Sequence, residues 1–196
     1  MMNNPYPSCQ CVAHPSVWRC RQTGFSLYDL IITSAVVGVL GVGAVSMAEL
    51  LQATRTTNIV NQLMGNLSLA RSEAIKRATP ITICPGTTSG ECQAIRDWKN
   101  GWVMFSDTNG NGGLDPDEPI LRIEQATNLN TIKFSAWGPG TGRWVTFEAD
   151  GSTKQNGTFT FCDERGATKA KAVILLGTGR ARVSSVNSSG GSLSCS

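Results

Sequence analysis

Arg180 and Arg182 are the residues whose type and spacing point most directly to chemistry. The stretch 165–196 has no acidic residue yet holds Arg165, Lys169, Lys171, Arg180 and Arg182, so its local potential is positive. On a strand, alternation would put Arg180 and Arg182 on one face about 6.6 Å apart. That is close to two axial steps of a nucleic-acid strand, at about 3.4 Å each. Guanidinium meets phosphate through paired hydrogen bonds, and such contacts read backbone rather than base sequence. The binding expected of the pair is therefore non-specific and salt-sensitive. Spacing alone fits better with two arginines that keep a solvated sheet edge from aggregating. No aromatic residues interleave with these charges, so duplex backbone contact fits better than stacking of single strands.

A second pattern runs Asp107-x-Asn109-x-Asn111-Gly112, with Leu114, Asp115 and Glu118 following at the spacing of a calcium loop. Its surroundings are wrong for a helix–loop–helix site, because 102–105 and 119–121 read as strands. A polar hairpin loop built on Asn-Gly and Asp-Pro turn chemistry is the expected reading, with no metal. The only histidine, His14, precedes everything else of interest, so Ser-His, Cys-His and histidine-metal chemistry lack their central residue. We expect no enzyme and no cofactor. Cys9, Cys11, His14 and Cys20 form a zinc-like set of irregular spacing that does not suggest a site. Cys84, Cys92, Cys162 and Cys195 allow three disulfide connectivities. Cys84–Cys92 with Cys162–Cys195 is favoured, since the first closes a short loop and the second ties down a Ser/Gly-rich tail.

These residues need elements to carry them. An uncharged run from Leu30 to Ala48, closed by Glu49, would rise about 28 Å as a helix, close to the roughly 30 Å of bilayer hydrocarbon. Gly38, Gly41, Gly43 and several hydroxyls suit a helix that leaves lipid for protein packing. Beyond Glu49, Ile59, Val60, Leu63, Met64, Leu67, Ala70 and Ala74 recur at three- and four-residue steps, with Asn58, Asn61, Gln62, Asn66, Arg71 and Lys76 on the other face. One helix over 28–78, about 75 Å long, is predicted to end at Thr79-Pro80. Short strands are predicted at 81–84, 102–106, 119–123, 131–136, 144–148, 158–162, 172–176 and 180–184. The fold class is α+β, with the sheet covering the helix's apolar face. Trp98, Trp102, Trp137 and Trp144 are expected in the packing. The chain has 17 basic and 14 acidic residues, so overall charge does not argue for nucleic acid and only local clustering can.

Gly24-Phe25-Ser26-Leu27-Tyr28-Asp29 at the head of the uncharged run resembles the prepilin cleavage motif of type IV pilins and pseudopilins. The resemblance implies cleavage between Gly24 and Phe25 by a prepilin peptidase, with methylation of Phe25. Residues 1–24, with Arg19 and Arg21, would form a cytoplasmic leader. Unlike a secretory signal, the cut precedes the apolar segment, so that segment stays in the mature chain. Residues 25–54 would be the transmembrane helix and 55–196 the periplasmic head, with a tail from about 187. Asp29 stands where the family carries glutamate, implying an assembly contact to the terminal ammonium of a neighbouring subunit. Alternatively it favours only its own helix N-terminus.

Arg71-Ser72-Glu73-Ala74-Ile75-Lys76-Arg77, Ile83-Cys84-Pro85, Trp98-x-x-Gly101-Trp102-Val103-Met104-Phe105-x-Asp107, Thr158-Phe159-x-x-Cys162 and Gly179-Arg180-Ala181-Arg182 are similar to the FimT and GspH minor pilins. That family implies a long pilin helix on a β-rich head of antiparallel strands, inner-membrane insertion, and partner pilins in a type IV pilus. Its FimT branch, with a C-terminal Gly-Arg-x-Arg motif, implies binding of extracellular DNA during natural transformation. Arg180 and Arg182 match that motif; Lys171, Lys169 and Arg165 would support them. The GspH branch implies instead a minor pseudopilin of type II secretion, and a purely structural initiator of pilus assembly is a further alternative.

Overall fold

The computed structural model describes residues 11–12, 19–20, 26–87, 89–127 and 129–195, with side chains within the long helix described except at 38–46. Gly24 and Phe25, the expected processing site, lie outside the described residues. The chain divides into two compact units, Met1–Ala48 and Glu49–Ser196. In the first, strands β1 (Cys11–Val12) and β2 (Arg19–Cys20) pair antiparallel, with Cys11 opposite Cys20.

Helix α1 runs over Leu27–Arg77. It starts with a reciprocal cap: Ser26 Oγ accepts from the Tyr28 amide at 3.3 Å, and Asp29 Oδ2 accepts from the Ser26 amide at 3.2 Å. At the other end Ala78 takes a left-handed conformation (φ 50°). The Thr79 amide donates to Ala74 O at 3.3 Å and the Ala78 amide to Ile75 O at 3.4 Å, a Schellman closure before Pro80 stops the helix. Within the first unit Leu27, Tyr28, Leu30, Ile31, Val36 and Val37 are exposed, an apolar surface of the kind that meets lipid or protein. Among the described residues no helix is long and apolar enough to cross a membrane.

In the second unit the predicted periodicity holds, with Val60, Leu63, Leu67, Ala70 and Ala74 buried. Strands β3 (Ile81–Pro85), β4 (Trp102–Ser106), β5 (Ile120–Glu124), β6 (Thr131–Trp137), β7 (Val145–Phe147), β8 (Asn156–Cys162), β9 (Lys171–Leu175) and β10 (Ala181–Ser184) follow. They form two four-stranded antiparallel sheets, ordered β5-β4-β3-β7 and β10-β9-β8-β6. The helix stripe, Ile81, Ile83, Met104, Val145 and Phe147 of the first sheet, and Ile132, Phe134, Phe159, Phe161, Val173 and Leu175 of the second make one core. Stacked Phe134 and Phe159 (3.9 Å between centroids) meet the edge of Trp98, whose Nε1 donates to Gly142 O at 3.1 Å.

Trp98 and Trp102 are buried as expected, and Trp144 packs partly buried beside the Cys84–Cys92 loop. Trp137 is a correction. It ends β6 opposite Asn156, on the outer strand of its sheet, and is 83% exposed because no described element covers that corner. The disulfides are Cys84–Cys92 and Cys162–Cys195. The second places Leu193 of the tail against Cys162, Ala170 and Ala172, and Asn187 Oδ1 accepts from the amides of Ser189 and Gly191. The Ser/Gly-rich tail is thus tied down, as a folded turn.

Candidate nucleic-acid interface

Strands β9 and β10 form a hairpin in which the Gly179 amide donates to Leu176 O at 2.8 Å and the Leu176 amide to Arg180 O at 2.9 Å. Gly179 has φ 74°, and a Cβ there would lie 2.0 Å from Gly151 O, so both conformation and space demand glycine. Arg180 lies one residue before β10, at the end of the turn, while Arg182 lies within the strand opposite Ile174. Directly opposed residues share a face. Ala181, opposite Leu175, packs on the core, so Arg182 points to the face away from α1. Both arginines are exposed, and among the described residues neither is in an ion pair. Only Arg182 of the two belongs to the ladder. The simple two-residue alternation expected for a strand-borne pair is broken by the turn.

The supporting cations divide. Lys169 is exposed on the short 3₁₀ turn Ala167–Lys169. Arg165 is a correction: its guanidinium grips Asp163 through Nε and a terminal nitrogen, the latter at 2.6 Å, with side chains only 16% and 8% exposed. Asp163 Oδ2 also accepts from Thr56 Oγ1 of α1 at 2.6 Å. Burial disfavours the Asp163 charge, but the bonds from Arg165 and Thr56 outweigh it and hold the carboxyl below its usual range. Asp163 in turn raises Arg165. Lys171 Nζ donates to Thr57 Oγ1 at 2.7 Å, so it too is committed to α1. The charge of Arg165 is thus paired within the fold, and Lys171 gives one of its three N–H donors to α1.

In the loop at 107–118, Asp107, Asp115 and Glu118 spend their carboxylates on the protein. Asp107, fully buried, accepts from Thr82 Oγ1 at 2.7 Å and from the amides of Asn111 and Gly112. Glu118 accepts from the amides of Thr108 and Asp115, and Asp115 from the side-chain amides of Asn109 and Asn111. Among the described residues no group of acidic, Cys and His side chains could hold a metal ion. Asp107, Asp115 and Glu118 therefore tie the loop together through hydrogen bonds that they accept. Asp29 is exposed, and the bond it makes is to the Ser26 amide.

Sequence reasoning placed Arg71 on the polar face of the helix and did not single out Ser68 or Ser72. Tertiary structure brings all three to a groove of about 420 Å³ that Gly179 and Arg180 close from the other side. The helical spacing of Ser68, Arg71 and Ser72 was the available signal, but nothing local identifies what faces that side.

No curated protein matches the chain. Two crystal structures of the type IV minor pilin FimU of Pseudomonas aeruginosa share the fold. One has TM-score 0.51 and 21% identity over 67% of this chain and 95% of that one; the other has TM-score 0.50 and 20% identity over 68% and 92%. The family model described as Type II transport protein GspH matches residues 60–190, which take in the helix's core-facing half, both sheets and the arginine hairpin. The chain therefore belongs to the GspH family.

Proposed function

We propose that this protein is a minor pilin of FimT type that binds extracellular DNA non-specifically during natural transformation. The observation carrying this reading is the exposure of Arg180 and Arg182 at one hairpin, free of carboxylate partners among the described residues, in a stretch where the other embedded cations are committed to the fold. Lys169 adds charge nearby in sequence. The uncharged run serves as inner-membrane anchor before assembly, a prepilin peptidase cuts after Gly24, and the head faces the periplasm until it reaches the cell surface in a pilus with other pilins. Asp29 then meets the new terminus of a neighbouring subunit instead of the Ser26 amide. The unit Glu49–Ser196 contains the whole hydrophobic core and both disulfides, which suits it to soluble measurements. Duplex binding by this unit across a salt series, compared with Arg180→Gln/Arg182→Gln, tests the reading. Equal affinity of the two proteins at low salt would remove it.

A second reading is favoured by the description of the matching family: a minor pseudopilin of type II secretion, whose arginines touch protein rather than DNA. Loss of secretion with intact transformation in a deletion strain would select it.

A further inference from the structure

The groove between α1 and the β9–β10 turn joins two cations from distant parts of the chain, Arg71 and Arg180. Ser68 and Ser72, one helical turn apart and both exposed, line it from the same helix face. Among the described residues no carboxylate lies within ion-pair distance of either arginine. Asp150 feels the charge of Arg71, but its carboxyl is held below its usual range first by hydrogen bonds from Ser152. Two like charges on one groove repel unless an anion lies between them.

Arg71 is also held in place. Its Nε donates to Gly151 O at 2.9 Å. Gly151 and Gly179 pack against it so closely that a Cβ on either would lie 3.1 Å from that nitrogen. One N–H of the guanidinium is thus used to fix the plane of the rest, which is pre-organisation of a kind that favours binding. The Ser68 and Ser72 hydroxyls donate to Met64 O and Leu69 O, weak local bonds for which a phosphate oxygen can compete.

We propose that this groove is a phosphodiester subsite, in which Arg71 and Arg180 hold one backbone phosphate and Ser68 and Ser72 donate to it. The proposal deepens the DNA reading and rests on it: Arg182, on the other face of β10, would take a separate phosphate. A planar guanidinium fork matches phosphate oxygens, and the groove volume lies in the range of small-ligand sites while remaining open enough for a continuing chain.

The experiment measures duplex affinity of the full chain in detergent micelles for five proteins: the parent, Ser68→Glu/Ser72→Glu, Ser68→Lys/Ser72→Lys, Arg180→Gln/Arg182→Gln, and Ser89→Glu/Gln125→Glu. The last carries the same added charge elsewhere on the head. Thermal midpoints check folding, and all substituted serines and glutamine are exposed or at loop positions that tolerate change. We expect Ser68→Glu/Ser72→Glu to weaken binding at least tenfold and to lower the slope of log affinity against log salt by about one, as for one lost phosphate. The charge-matched control should change affinity less than threefold. Ser68→Lys/Ser72→Lys should strengthen binding. If the groove variants match the control while Arg180→Gln/Arg182→Gln loses binding, the subsite is wrong and the DNA reading stands. If neither weakens binding, both fall.

Discussion

Two pairs of cations, separated by only a few residues of chain, end in opposite circumstances. Arg165 and Lys171 reach back to α1 and lock the head onto it through Asp163, Thr56 and Thr57. Arg180 and Arg182 face outward with no carboxylate partner among the described residues. All four share a stretch without acids, so composition treats them alike. The difference comes from Asp163, two residues before Arg165, and from the helix hydroxyls that the fold carries to it. A basic segment is thus not a basic surface: two of its five cations here stabilise the protein that displays the other three.

The largest expected effect separates the pairs by ligand. Arg180→Gln/Arg182→Gln should lower duplex affinity about 100-fold at low salt and cut the salt slope by about two, with the thermal midpoint unchanged. Gel shifts across a salt series measure both; an unfolded variant would break the comparison. Arg165→Gln should do the reverse. Leaving Asp163 partly buried without its partner should cost about 1–3 kcal/mol in urea unfolding while duplex affinity stays within twofold.

The embedded network should also show in acid. Asp163 and Glu124, the latter bonded by Asn66, Gln62 and Arg122, both sit below their ordinary values of 3.8 and 4.5 despite the opposing effect of burial. Lowered folded values mean that the unfolded chain binds protons first. Their contribution is complete above pH 4.5 and is lost as pH falls through the lowered range. Unfolding followed from pH 6 to pH 3 should show this, and Asp163→Asn should flatten the loss. The smallest effect is expected at Lys171: replacing it with Gln should cost about 0.5–1.5 kcal/mol, the worth of one ordinary hydrogen bond at this half-buried site, again without change in DNA affinity.

Much of the scaffold was legible in the residues. Apolar steps from Ile59 to Ala74 predicted the buried helix face, Thr79-Pro80 its end, and the Gly/Asn/Asp clusters the strand boundaries, because periodicity and turn chemistry are local. The Cys84–Cys92 loop was readable for the same reason. The long-range features were not. Trp137 looked like its three core neighbours, yet lies bare at a sheet corner. The Ser/Gly-rich tail gave no sign that Leu193 packs against Cys162, Ala170 and Ala172. The calcium-like string at 107–118 matched by letter, while Thr82, from another strand, shows that its buried Asp107 works inside the fold.

The sequence by itself determined one long helix, an antiparallel β-rich head, the absence of histidine beyond residue 14 and the site of surplus positive charge, since composition and short-range spacing need no partner. Only the tertiary structure decided which cations remain free, that Arg180 joins Arg71 across a groove, and why Gly179 must be glycine. Those outcomes depend on which groups from distant positions meet, and a hydrogen bond or close contact between residues 71, 151 and 179 has no trace in the residues beside each of them.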